Sequence, residues 1–164
     1  MKIREEAPSD TAQIHELVAR AFAGAEHSAG NEQDIVAALR AAGALALSLV
    51  AELNGRIVGH VAFSPVAIGD HSGTWLGLGP VAVAPDAQRL GVGSALIWEG
   101  LDRIRAEGWE GCVVLGDPAY YQRFGFRNVS GLQFEGVPAE YFMALAFTGT
   151  TPMGNAVYHP AFYQ

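Results

Sequence analysis

The chain has 164 residues, one cysteine (Cys112), one lysine (Lys2) and a formal charge of −7. That length suits a single domain able to bury a core without staples, and the lone cysteine excludes a disulfide framework or a cysteine-bound zinc. So few basic groups exclude a phosphate-tracking nucleic-acid surface, and no run reaches the roughly 18 apolar residues of a membrane span or resembles a signal peptide, so a cytoplasmic protein is expected.

Residues 2–6 read as a short strand closed by Pro8. Ser9, Asp10 and Thr11 offer a helix cap, with Gln13 in capping-box position after Asp10. Ile14, Leu17, Val18, Ala21 and Phe22 then fall on one helical face. The small, polar stretch 23–30 predicts a loop. Asn31 is placed to cap a second helix, with Glu32 and Asp34 in its first turn, Ile35, Val36 and Leu39 on its apolar face, and Gly43 at its end. The period then changes. Residues 47–53 and 56–66 flank the hairpin pair Asn54-Gly55, and after a polar turn at 69–73 a third run covers 75–84, which together predict an antiparallel meander.

From Pro85 onward strand and helix alternate. Residues 93–106 form a helix stopped by Gly108, and 112–115 is an apolar strand of the kind buried on both faces. A strand, a crossover helix and a strand make a parallel pair. Pro118 opens a short helix over 119–124, ended by Gly125, and 142–147 is the last strand. The expectation is one α+β domain over 1–164, a mixed, mostly antiparallel sheet flanked by helices, with 148–164 as a C-terminal tail.

The segment 81–94, VAVAPDAQRLGVGS, joins a strand, a polar turn, a Gly-x-Gly loop and a helix start. Glycines let a backbone approach a ligand, and the first amides of a helix have no partner within it, so this pattern suits an anion. It is not a Walker A loop, because no lysine follows Gly93, nor a dinucleotide fingerprint, because Leu96 stands where the third glycine belongs. A bare Gly-x-Gly is equally a tight strand–helix turn.

Its surroundings narrow the choice. Gln88-x-x-Gly91-x-Gly93, preceded by Val81, Val83 and Pro85, closely resembles the acyl-CoA-binding motif of the GNAT superfamily of N-acetyltransferases. A second match follows the strand Val113-Val114-Leu115: Ala119, Tyr120, Tyr121, Gln122, Arg123, Phe124, Gly125 and Phe126 are similar to that superfamily's A…Y-E-K-L-G-F ending. The order of elements agrees over most of the chain, and the wording from Gly116 to Phe126 is most similar to the bacterial YhbS-like branch.

The resemblance implies a set of roles. Backbone amides of Arg89, Leu90, Gly91, Val92, Gly93 and Ser94 would cradle the pyrophosphate of acetyl-CoA, with no metal. The main chain of Val81, Ala82 and Val83 would pair with the pantetheine arm. That strand would splay from its neighbour to leave a slot for the thioester, and an amide near Ala82 or Val83 would face the developing oxyanion. Tyr121 matches the tyrosine that protonates the leaving thiolate; its plainer reading is a core residue with a satisfied hydroxyl. Many members carry an Asn after the strand that ends here at Leu115, where this chain has Gly116-Asp117-Pro118. Asp117 either replaces that contact or caps the short helix.

An amine acceptor, small molecule or peptide, must lose a proton before it attacks. Glu26, His27, Glu32, Asp34 and His60 are candidate bases, each with a plainer reading: solvated loop groups, helix-dipole partners, or a core histidine. Cys112, in an apolar strand, is poorly suited to a covalent acyl intermediate, which leaves direct attack in a ternary complex. The alternative on the same scaffold is a catalytically silent acyl-CoA-binding or regulatory domain. The tail, with Tyr158, His159, Phe162 and Tyr163, is free to cover the acceptor cleft, to join a homodimer, or to pack on its own sheet. Charge is uneven along the chain: residues 1–84 hold five basic and nine acidic groups, 85–127 five and six, and 128–164 none and two. That distribution suits a cationic acceptor, and surface solubility accounts for it almost as well.

Overall fold

The computed structural model describes residues 1–164. Strand β1 (Lys2–Glu5) leads into helices α1 (Thr11–Phe22) and α2 (Glu32–Ala41). Strands β2 (Leu47–Leu53) and β3 (Arg56–Ile68) meet at Asn54-Gly55, whose φ angles of 53° and 77° are those a two-residue hairpin demands. Strand β4 (His71–Val83) completes the meander, and helix α3 (Val92–Ala106) crosses over to β5 (Gly111–Leu115). The short helix α4 (Pro118–Tyr121) runs into a 3-10 turn, Gln122–Phe124. Strands β6 (Leu132–Gln133), β7 (Phe142–Ala146) and β8 (Gly154–Val157) finish the chain.

The main path of the sheet is β1-β2-β3-β4-β5-β7. Along it only β4 and β5 are parallel, as the crossover through α3 requires. The expected α+β architecture is therefore present. Strands β6 and β8 are additions to it: β8 pairs antiparallel with β3 through Ala67–Val157 and Ile68–Ala156, and β6 runs parallel to β8. The tail thus packs on its own sheet.

Two local expectations change. Asp10 does not cap α1; its carboxylate takes two bonds from Arg4, at 2.7 and 3.1 Å, and one from the Ala7 amide at 2.6 Å. Asn31 stands at the N-cap of α2 but only its carbonyl takes part, accepting from Asp34 and Ile35. An arginine on β1 outcompetes the helix because a charged, bidentate donor binds a carboxylate more strongly than one amide does.

Each face of the sheet is covered differently. Helix α3 lies close on one face: a Cβ at Gly100 would stand 2.4 Å from the Phe63 ring, so only glycine admits that contact. Strand alternation places His60, Val66 and Ile68 on the opposite face, which α2 covers at one end through Arg40, Glu6 and Ser48. At the other end a second core of Val66, Trp75, Val113, Phe142, Ala156 and Tyr158 lies beneath the C-terminal segment. No helix is long and apolar enough to cross a membrane.

The feature that positions the site is a break in β4. Trp75, Leu76, Gly77 and Leu78 pair with Gly111, Cys112, Val113 and Val114 of β5. Gly79 (φ 138°) and Pro80 then place one extra residue opposite β3, and beyond them Val81, Ala82 and Val83 pair with β3 alone. The two parallel strands therefore part at Gly79, and one edge of β4 is open.

Candidate functional site

The open edge can be read residue by residue. The Ala84 amide donates to Val58 at 2.8 Å. Alternation along the strand then turns the Ala82 peptide groups toward β3 and those of Val81 and Val83 away from it, into the gap. Of the two amides considered from the sequence, Val83's faces the open edge. Along this edge lie two adjoining cavities.

The first, of about 360 Å³, is lined by Val83, Gln88, Arg89, Gly91, Val92, Gly93, Ser94, Tyr120 and Arg123. Gly91 caps α3 at φ 80°, and Arg89 also has a positive φ of 67°. The first carbonyl-bound amide of the helix is Ala95's, which donates to Gly91 at 3.0 Å, so the amides of Val92, Gly93 and Ser94 have no partner within the helix. They meet the positive end of the helix dipole in the same cleft. Arg123 stacks over the Tyr120 ring at 4.7 Å, and the Tyr120 hydroxyl lies 3.3 Å from Ser94 Oγ. This is an anion cradle of main-chain donors with two guanidinium groups beside it. Leu90 points outward, 66% exposed, and Ala82 is buried. Tyr120 and Arg123 were not picked out for this cleft from the sequence, although both lie in the motif that carries Tyr121.

The second cavity, of about 390 Å³, lies on the other side of the break. Phe22, Glu32 and Ile35 form one wall, Leu78, Gly79, Pro80 and Val81 the floor, and Leu115 and Tyr121 the end toward β5. The remaining wall comes entirely from the C-terminal segment, as Phe134, Tyr158, Phe162 and Tyr163. Tyr158 packs edge-on against Phe134 at 5.4 Å and Phe162 at 5.1 Å, its hydroxyl buried without a protein partner. So the tail both joins the sheet and closes this cavity.

Tyr121 is held at the meeting of these parts. Asp117 accepts from the Ala119 amide at 3.0 Å, so it caps α4, and its carbonyl accepts from Tyr121. The Tyr121 ring packs edge-on against Tyr120 at 5.0 Å and Phe126 at 6.1 Å. A Cβ at Gly116 would stand 2.3 Å from that ring, which explains a glycine directly after β5. Burial, more than the neighbouring Tyr120, pushes the Tyr121 hydroxyl up to about 12, so it stays protonated at neutral pH.

The five candidate bases separate by position. Glu32 lines the aromatic cavity, with Ser28 Oγ 2.7 Å from its carboxylate. Glu26 and His27 are exposed in the loop between α1 and α2. Asp34 is exposed, 3.6 Å from His15. His60 is fully buried and lines neither cavity. Its Nε2 lies 2.8 Å from Ser48 Oγ, and Ser48 donates to Glu6, which Arg40 grips at 2.7 and 3.0 Å. Ser48 has one proton to give, so Nε2 carries the hydrogen of the His60–Ser48 bond. Burial lowers the His60 pKa to about 4, and the ring is neutral at pH 7. Cys112 is buried with its thiol raised by desolvation. No group of three His, Cys, Asp or Glu is placed to hold a metal ion.

Residues 11–126 match the acetyltransferase (GNAT) family. The chain belongs to that family. It is 40% identical over 127 residues to the uncharacterized N-acetyltransferase YhbS of Escherichia coli K12, covering 77% of this chain and 73% of the relative. Among solved structures, a GNAT family acetyltransferase from Brucella melitensis in complex with acetyl-CoA superposes with a TM-score of 0.88 at 48% identity, covering 98% and 97% of the two chains. Escherichia coli YhbS in complex with CoA gives 0.91 at 33% identity, covering 99% and 92%. The family assignment places this chain among acyltransferases and agrees with the mixed sheet and the parted strands.

Proposed function

We propose that this GNAT protein transfers an acetyl group from acetyl-CoA to a primary amine, by direct attack in a ternary complex with Tyr121 as the general acid. The observation that carries the reading is the open edge of β4, with an anion cradle on one side and an aromatic cavity holding Tyr121 on the other. The residues present fit the cofactor: unpartnered amides at the start of α3 suit a pyrophosphate, and the outward peptide groups of Val81 and the Val83 amide suit an extended amide-bearing arm, the Val83 carbonyl accepting from Gln88 Nε2 at 3.4 Å. Acetyl-CoA supplies an acyl group already activated as a thioester, so the protein's work is alignment, charge stabilisation and proton handling. The lone free cysteine suits the reducing cytoplasm, where we place the reaction.

The Val83 amide, on the open edge of β4, would take the charge that develops on the carbonyl oxygen. The amine arrives as an ammonium and gives one proton to solvent; its neutral nitrogen forms the C–N bond as the C–S bond breaks. The sulfur takes the Tyr121 proton. A thiolate has a pKa of about 8.5, so a phenol held near 12 cannot lose its proton to it outright. Transfer is completed because the nitrogen, acidic once acylated, sheds its second proton and restores the phenol. The products are an amide, a free thiol and one proton. Thiol release from acetyl-CoA across a panel of amines, beside calorimetric CoA binding, tests the reading. Turnover with at least one primary amine is expected. CoA binding without turnover on any amine would replace it with the silent binding domain.

A further inference from the structure

We propose, resting on the acetyl-transfer reading above, that the acceptor is a small hydrophobic monoamine without a carboxylate, an arylalkylamine in chemical class. Its body would sit among the rings of the second cavity, with its ammonium paired to Glu32.

The walls carry the inference. Ten of the thirteen residues lining the cavity are hydrophobic, among them Phe22, Phe134, Tyr158 and Phe162, while Glu32 is the single charge and no Lys, Arg or His is present. A free amino acid would bring its carboxylate into a space whose single charge is another carboxylate and whose side-chain donors are tyrosine hydroxyls alone. Desolvating that anion with no cation beside it is unfavourable. A polyamine meets the converse problem, because its second ammonium would have no second carboxylate and would leave water to lie against rings. One positive end and one apolar body match what the cavity offers.

Glu32 is placed for the task. It stands in the first turn of α2, and its carboxylate is oriented by Ser28 Oγ at 2.7 and 2.9 Å. None of the other acidic groups weighed as candidates lines the cavity. Four of its rings, Phe134, Tyr158, Phe162 and Tyr163, come from residues 128–164, which contain no Lys or Arg and one histidine, His159, that does not line the cavity. The absence of a counter-ion for a substrate carboxylate is therefore a property of the whole wall.

The test compares phenethylamine, phenylalanine and spermidine as acceptors with acetyl-CoA in the wild-type protein. Phenethylamine should exceed the other two at least tenfold in kcat/KM; equal or better use of either competitor would overturn the proposal. In Glu32→Gln the KM for phenethylamine should rise about tenfold with kcat within twofold and CoA binding unchanged, the last showing that the variant folds. An unchanged KM, or a fall in kcat alone, would overturn the pairing. Calorimetry of phenethylamine with the CoA-bound protein supplies a readout without turnover, and Glu32→Gln should weaken it by the same factor. If that binding holds while no amine is acetylated, the transfer reading fails and the cavity assignment stands.

Discussion

The two cavities beside β4 are made of different material. The cleft at the start of α3 offers main-chain amides, opened by Gly91 and Gly93, with the guanidinium groups of Arg89 and Arg123 beside them. The aromatic cavity borders the open main chain of β4 at Val81, but its character comes from rings and one carboxylate drawn from α1, α2, α4 and the C-terminal segment. A ligand gripped by peptide groups can be shared by many proteins that keep the same local turn. A ligand gripped by side chains changes whenever those side chains do. On the proposed reading, this division would let one scaffold keep a common donor and vary its acceptor.

Three measurements would break or sharpen that contrast. The largest effect is expected from Tyr121→Phe, which removes only a hydroxyl from the aromatic side: kcat should fall about 100-fold or more, with the CoA dissociation constant within twofold by calorimetry. An unchanged kcat would leave the general acid unassigned on either side.

Next comes a titration that belongs to neither cavity. The folded His60 pKa of about 4 lies below its unfolded value of 6.5, so the unfolded chain takes up a proton first as pH falls. The stability held by neutral His60 is complete above pH 6.5 and is lost between 6.5 and 4, about 3 kcal/mol in all. Urea denaturation at pH 7 and 4.5 should show most of that loss, and His60→Gln should remove this part of the slope. Turnover should not follow the same curve, because the ring faces no substrate.

The smallest effect is expected at Gly91, where an L side chain at φ 80° costs about 1 kcal/mol and tilts the helix-end amides. Gly91→Ala should weaken CoA about fivefold, leaving the KM for the amine unchanged. A change in KM alone would show that the two cavities are not separable.

The same contrast explains what was legible in advance. The cleft at α3 was, because glycine and proline spacing is local and leaves a readable imprint. Tyr121 was legible with its motif, but Gly116 beside it was not: its role is a contact five residues away across a turn. Five acidic or histidine candidates for the acceptor side reduced to Glu32 only when α2 was seen over the break in β4. Strand β8 left almost no signal, since its four residues include Gly154 and Asn155, poor strand formers that pair with Leu132 and Gln133 of β6 while Ala156 and Val157 pair with Ile68 and Ala67 of β3. Asp10 misled for a related reason, because its partner Arg4 sits on a strand whose position the local pattern does not reveal.

From residue order alone came the class of fold, the order of its elements, and the glycine turn that opens α3, all of which depend on periodicity and on backbone chemistry within a few neighbours. The tertiary structure decided which amides face the gap, which carboxylate lines the aromatic cavity, and that the C-terminal segment closes that cavity. Those outcomes depend on pairing and packing between residues more than a hundred positions apart, such as Glu32 with Phe162, and no local pattern encodes them.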